Sequence, residues 1–232
     1  MRDADRGFTG RRVLVIGGTS GIGAAVAERF RMLGAEVTAA GLHATAPAVE
    51  LDVTRGPELE EFIGGLDRLD VLVNAAGTIA RDAEFDPVVF SQVIEVNLTS
   101  TMRACVAAKP LLAESRGCIA NVGSMYSFFG GPRVPGYTAS KGGVAALTKS
   151  LAVAWGPEGI RVNAVAPGWI KTPLTEIVYE NPEASKPILD RTPLGRWGDP
   201  AEIAAAVGFL CSPDASFITG AVVPVDGGYL AT

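Results

Sequence analysis

Cysteine is scarce in this 232-residue chain. Cys105, Cys118 and Cys211 are widely spaced, which argues against a disulfide framework or a metal site and reads as buried thiols in a reducing compartment. A strong charge of one sign is missing as well. The net charge is −5 with no block of Lys or Arg, so nucleic acid and anionic membranes are not expected partners. No apolar run approaches membrane-spanning length, and Met1 to Arg12 is polar and charged, without the apolar core of a signal peptide. There is no composition break, repeat or low-complexity tract to divide the chain. These absences predict one soluble, cytoplasmic domain without a metal site.

What is present is a 48% hydrophobic composition with 28 glycines, enough for a substantial core joined by tight turns. Arg12 to Ile16 is a short apolar, β-branched run ending in glycine, the pattern of a buried parallel strand. Ile22, Val26, Phe30 and Leu33 follow at helical spacing, with Gly34 as the C-cap. Val37 to Ala40 reads as a second strand, and Gly41 to Val49 leaves little room for a full crossover helix. Leu59 to Leu66 reads as a helix and Asp70 to Asn74 as a strand. A long helical pattern covers Pro87 to about Ser115, where Pro110 is expected to kink or interrupt it. Cys118 to Val122 is a strand, Tyr137 to Trp155 a helix, Arg161 to Val165 a strand, Ala201 to Leu210 a helix and Ala221 to Val225 a last strand. This alternation predicts an α/β domain, a doubly wound parallel sheet with helices on both faces.

Two local patterns carry chemistry. Tyr137 and Lys141 stand four residues apart on a predicted helix, so their side chains share one face. An ammonium beside a phenol favours phenolate and lowers a pKa that is normally about 10, as an acid/base for carbonyl and alcohol chemistry requires. Gly17-Gly18-Thr19-Ser20-Gly21-Ile22-Gly23 links the first strand to the first helix. Glycines there permit positive φ and bring backbone amides to a pyrophosphate, which the helix N-terminus favours.

On these residues the chain resembles the short-chain dehydrogenase/reductase superfamily, in its single-domain branch, from about Arg11 to the C-terminus. The family's Thr-Gly-x-x-x-Gly-x-Gly turn has Ile16 in place of threonine but keeps Gly17, Gly21 and Gly23. Its Asn-Asn-Ala-Gly segment stands as Asn74-Ala75-Ala76-Gly77. Asp52-Val53 is similar to the family's adenine-contacting step, Glu95-Val96-Asn97-Leu98 to its catalytic-asparagine motif, and Pro167-Gly168 with Ile170 and Thr172 to its nicotinamide-binding edge. Ser124 stands thirteen residues before Tyr137, in the catalytic-serine position.

The resemblance implies a single Rossmann domain and hydride transfer between a secondary alcohol and a ketone. Tyr137 would be the general acid/base, Lys141 would lower its pKa and bind the nicotinamide ribose, and Ser124 would polarise the carbonyl. Asn97 would hold a water through its backbone. The cofactor wall would comprise Gly17, Thr19, Ser20, Gly21, Ile22 and Gly23, then Gly41, Leu42, Asp52 and Val53, then Asn74, Ala75, Ala76 and Gly77, and finally Tyr137, Lys141, Pro167, Gly168, Ile170 and Thr172. In this fold an acidic residue after the second strand suits a free ribose and an arginine suits a 2′-phosphate. Gly41, Leu42 and His43 supply neither signal, and the glycine turn has no cation. This favours NAD without excluding NADP; His43 either lines the adenosine pocket or is solvated.

The proline-rich stretch from Trp169 to Pro200 is expected to act as a lid over the substrate. Met125, Tyr126, Phe128 and Phe129 wall the substrate pocket or pack elsewhere. Ser127 to Pro135 and Ile188 to Gly198 resemble the corresponding parts of dehydrogenases acting on gluconate or 2-keto-3-deoxygluconate. That resemblance implies a sugar acid or polyol, with Arg133 or Arg191 either meeting a carboxylate or serving in surface ion pairs. The alternatives are a ketoreductase for acyl groups on a carrier protein and a non-catalytic dinucleotide sensor. The family further implies a homotetramer or homodimer.

Overall fold

The described residues of the computed structural model are 7–232, so the expectation placed on the first six residues, within Met1 to Arg12, lies outside them. Strand β1 (Arg12–Ile16) forms where the sequence is continuously apolar, because both of its faces are covered. Val13 and Val15 point into one hydrophobic cluster and Leu14 and Ile16 into another on the opposite side. With β2 (Glu36–Gly41), β3 (Val49–Glu50), β4 (Val71–Asn74), β5 (Cys118–Val122), β6 (Arg161–Pro167) and β7 (Val222–Val225) it makes a seven-stranded parallel sheet of order β3-β2-β1-β4-β5-β6-β7.

The helices divide between the two faces. Helices α1 (Gly21–Met32) and α8 (Pro200–Cys211) cover one face through Val26, Phe30, Ile203 and Val207. On the other lie α2 (Gly56–Gly64), α4 (Ser100–Ser115) and α5 (Pro135–Trp155), through Leu59, Ala104, Leu112 and Trp155. Phe30 is fully buried; burying a side chain of that size contributes roughly 1.5–3 kcal/mol. Helix α1 ends as expected: Gly34 takes φ 87°, Ala35 N–H donates to Phe30 C=O at 3.0 Å and Gly34 N–H to Arg31 C=O at 2.9 Å, which satisfies two terminal carbonyls.

Two expectations change. The long pattern after Pro87 is interrupted, but not by Pro110, which sits inside a continuous α4. The break lies between α3 (Pro87–Ile94) and α4, where Glu95–Thr99 forms a wider π-helical turn. Ser100 Oγ donates to Val96 C=O at 2.6 Å and Thr101 Oγ1 to Asn97 C=O at 3.0 Å, so hydroxyls satisfy carbonyls within the loosened turn. Strand β3, unforeseen, is two residues long and has no periodicity to read; it pairs Val49 with Ala40 and Glu50 with Gly41. The link between β2 and β3 is as abbreviated as the sequence suggested, without a helix.

The stretch 169–200 contains α6 (Glu176–Tyr179) and α7 (Pro182–Arg191). Its two ends are joined by a bridge between Ile170 and Gly198, with Lys171 N–H to Gly198 C=O and Gly198 N–H to Trp169 C=O both at 2.9 Å. Val178, Ile188 and Trp197 form a small core of its own, and Trp197 Nε1 donates to Ser185 Oγ at 2.7 Å.

Candidate active site

The order of strands reverses beside β1: the chain first builds outward to β2 and β3, then returns to place β4 on the other edge of β1. That is where such sheets open a crevice at the C-terminal ends of their strands. The turns after β1 and β4 meet here so closely that a Cβ on Gly17 would lie 2.4 Å from Ala76 N, and one on Gly23 2.0 Å from Gly17 C=O. These glycines are required by chain-to-chain contact before any ligand is considered. Helix α1 starts at Gly21 behind Ser20, whose side chain does not cap it, and no acidic residue occupies its first turn. The N–H groups of that turn therefore suit a pyrophosphate.

A cleft of about 740 Å³ runs from this turn to the end of β5. All of the expected site residues except Asn74 and Asn97 line it. His43, exposed and at φ 55°, lines its outer end. A side chain at Gly41 would meet Thr19 Oγ1 at 2.8 Å, so Thr19 occupies the space where an acidic residue after β2 would stand. A carboxylate reaches the same corner from β3 instead, which sequence order hid: Glu50 accepts the N–H groups of His43 at 3.1 Å and Ala44 at 2.7 Å. Asp52 closes its own turn on Thr54 N–H at 2.9 Å and Thr54 Oγ1 at 2.8 Å, and these bonds hold its carboxyl below the usual range.

Asn74 does not face the cleft. Its amide donates to Asn121 Oδ1 at 2.9 Å and Cys105 Sγ at 3.3 Å, and Asn121 in turn donates to Thr148 Oγ1 at 3.0 Å. This buried polar ladder ties β4, β5, α4 and α5 together, because a side chain at the end of β4 points into the sheet's covered face. Asn97 is buried in the π-helical turn and pins the loop after β4, accepting Thr78 N–H at 2.7 Å and donating to Thr78 C=O at 2.9 Å and Ser140 Oγ at 3.0 Å.

At the inner end of the cleft Ser124, Tyr137 and Lys141 converge. Ser124 follows β5, and its hydroxyl also accepts Tyr126 N–H at 3.2 Å, so it caps a turn as well as facing the cleft. Lys141 Nζ lies 5.6 Å from the Tyr137 ring centroid and donates to Val122 C=O at 2.7 Å. Burial pulls its ammonium down to about 8. The expected lowering of Tyr137 is not what the protein alone does. Burial pushes that phenol up to about 12, opposed by a hydrogen bond from Ser124, while Tyr126 and Glu84 raise it further and Arg81 lowers it. Glu84 was not read from sequence. It is 1% exposed and ties the start of α5 to the loop after β4, accepting Tyr137 N–H and Ala80 N–H, each at 2.8 Å.

Aromatic side chains continue beyond Tyr137. The Tyr126 ring meets Tyr137 edge-on at 6.0 Å and Phe129 at 5.1 Å, whereas Met125 is core and Phe128 is exposed. Arg133 is paired with Asp82, and Arg191 lies over the Tyr229 ring at 4.2 Å. The structure leaves Arg81, which the sequence did not single out, over the Trp169 ring at 5.8 Å.

Residues 16–230 match the family model described as Enoyl-(Acyl carrier protein) reductase. The chain is 35% identical to 2-dehydro-3-deoxy-D-gluconate 5-dehydrogenase of Bacillus subtilis, covering 96% of this chain and 95% of that protein. It is 40% identical to galactitol 2-dehydrogenase (L-tagatose-forming) of Cereibacter sphaeroides, with 93% of each covered. A candidate 2-deoxy-D-gluconate 3-dehydrogenase from Agrobacterium tumefaciens, solved with bound NADP, superposes with a TM-score of 0.91 at 38% identity, covering 97% of this chain and 98% of that one. The chain belongs to the short-chain dehydrogenase/reductase family. It is an NAD(P)-dependent oxidoreductase of Rossmann fold.

Proposed function

We propose that this enzyme interconverts a secondary alcohol and a ketone on a sugar acid or a related polyol, with Tyr137 as the general acid/base. The observation that carries the reading is the convergence of Ser124, Tyr137 and Lys141 at the inner end of a cleft whose outer end begins at the free N–H groups of α1. The residues fit a dinucleotide: Gly17 to Gly23 would hold its pyrophosphate, Asp52 and Val53 its adenine, and Pro167, Gly168 and Thr172 its nicotinamide. The nicotinamide supplies or accepts the hydride. Ser124 donates to the carbonyl oxygen and Tyr137 delivers the proton there. A phenol held near 12 is protonated at neutral pH, the form that reduction needs, so alcohol oxidation should climb through the alkaline range. Lys141, anchored on Val122 C=O, orients the nicotinamide ribose. Asn97 supports the pair by holding Thr78 and Ser140 in place.

NAD is favoured over NADP. Gly41, Leu42 and Thr19 provide no cation for a 2′-phosphate, and the carboxylate nearest the β2 turn, Glu50, repels one. Stretch 169–200 acts as the lid, closing as a packed unit about the Ile170–Gly198 bridge. Exposed Met102 and Val106 on α4 support a homotetramer or homodimer, and three buried, unpaired cysteines support a cytoplasmic setting. The family model's description keeps a second reading in view, reduction of an acyl chain on a carrier protein. Sugars, aldonates and alditols screened with NAD(H) and NADP(H) at the reduced-nicotinamide absorbance separate the two. Turnover of a sugar acid or polyol is expected; turnover of a β-keto thioester alone would replace the substrate class.

A further inference from the structure

Helix α5 has a weak start of its own. Its first residue is Pro135, Val134 before it offers no side-chain cap, and no acidic residue stands in its first turn. The early N–H groups therefore have to be satisfied from elsewhere. The carboxylate that does so comes from 53 residues earlier in the chain. Glu84 sits in the short turn Ala83–Phe85 and is buried. Oε2 accepts Tyr137 N–H and Oε1 accepts Ala80 N–H, each at 2.8 Å, as the two oxygens of an ionised carboxylate do. Gly136 permits the approach, because a Cβ there would stand 3.3 Å from Glu84 Oε2. No cation pairs with Glu84 among the described residues; Arg133, on the loop leading into α5, is taken by Asp82. A buried negative charge is favoured at this place by the helix N-terminus itself. The groups that face the Tyr137 phenol come from separate stretches: Ser124 and Tyr126 after β5, Arg81 after β4, Lys141 along α5, and Glu84 at the helix start. Burial is the largest influence and raises the phenol; the hydrogen bond from Ser124 opposes it, while Tyr126 and Glu84 add to it. Of these groups only Glu84 also holds the main chain of the tyrosine.

We propose that Glu84 is the positioning residue for the acid/base of this enzyme, fixing the Tyr137 main chain against the loop after β4 and opposing loss of the phenol proton. The assignment rests on the role proposed above for Tyr137. Lys141, while charged, favours phenolate, and a tyrosine that sheds its proton early has none to deliver to a carbonyl oxygen. A fixed negative charge at the start of the same helix works against that loss through the protein interior, without touching substrate. Glutamine in its place keeps one acceptor and the side-chain shape, but loses the charge and turns a second donor on one of the two N–H groups. Aspartate keeps the charge on a shorter arm. The two substitutions separate charge from geometry.

The test reads Tyr137 phenolate by tyrosinate absorbance in wild type, Glu84→Gln and Glu84→Asp, each against the same protein carrying Tyr137→Phe. Glu84→Gln is expected to hold about three times as much phenolate as wild type at each pH on the rising part of the curve, and Glu84→Asp the same as wild type. In turnover of the sugar acid or polyol both variants should lose about tenfold in kcat as the phenol leaves its reacting position, with KM and NADH affinity within a factor of a few. Phenolate in Glu84→Gln no higher than in wild type overturns the assignment, as does an increase in Glu84→Asp equal to that in Glu84→Gln, which is what the loss of a helix-start bond alone would give. Unchanged kcat in both variants overturns it too. Should Glu84→Gln fail to fold, Glu84→Asp decides: wild-type phenolate with lowered kcat supports the assignment, and raised phenolate overturns it. Full turnover in Tyr137→Phe removes the role of the tyrosine and that of Glu84 with it, whereas unchanged phenolate removes only Glu84.

Discussion

The end of the cleft at the glycine turn, proposed for the nucleotide, is made of backbone, and the end at Tyr137, proposed for the substrate, of side chains. At the first, Gly17, Gly23 and Ala76 approach so closely that one added methyl would strike main-chain atoms, and the useful donors are the N–H groups of α1. At the second, the side chains of Ser124, Tyr137 and Lys141 converge from separate stretches, and the rings of Tyr126, Phe129 and Tyr229 continue beyond Tyr137. A main-chain site tolerates almost no change in the residues that shape it. A side-chain site can be re-specified while the fold stays as it is, so the two ends ought to respond to substitution in different ways.

The sharpest contrast is at Tyr137, where both ends meet. Tyr137→Phe should lower kcat by about 10³-fold or more while NADH affinity in a fluorescence titration stays within a factor of a few; retained turnover would remove the phenol from the reaction. Next comes Gly23→Ala. Its Cβ would sit 2.0 Å from Gly17 C=O, and overpacking of that kind should cost about 3 kcal/mol in denaturant unfolding and abolish NADH binding. A stable variant that binds normally would mean the glycine turn is looser than described.

Lys141 gives a pH-dependent comparison. Its ammonium is pulled from 10.5 to about 8 in the folded protein, so between these values the unfolded chain holds more protons and stability rises with pH. At about 1.4 kcal/mol per pKa unit, wild type should gain up to about 3 kcal/mol relative to Lys141→Met between pH 7 and pH 10, before the raised Tyr137 begins to oppose it. Parallel pH profiles in urea unfolding would contradict the burial of the ammonium. The smallest effect is expected at Ser185→Ala, which removes the 2.7 Å bond from Trp197. A loss of about 1 kcal/mol confined to stretch 169–200, the proposed lid, should raise substrate KM a few-fold and leave NADH binding untouched. Equal effects on both would mean that the two ends are not separable.

The same contrast explains what was legible in the sequence. Strands β1, β2 and β4 to β7 and helices α1, α2, α5 and α8 were readable because each has a period or a continuous apolar run. The nucleotide turn was readable because its parts are contiguous. Asn74 was misplaced because a motif records a residue type and not the face its side chain takes; Asn121 and Thr148, far along the chain, capture it. Glu50, Glu84 and Arg81 were missed because each acts on a stretch it meets only in the folded protein. Pro110 was over-read: the real interruption, at Glu95–Thr99, depends on where Asn97 finds Thr78 and Ser140.

The pairing of Ile170 with Gly198 has a consequence for how this protein can diversify. Because the excursion returns to within one hydrogen-bonded bridge of where it left and carries its own small core, it behaves as a replaceable cassette. A sister sequence transplanted between those two residues would bring a different ceiling to the same hydride chemistry, with neither the sheet nor the dinucleotide groove asked to adapt.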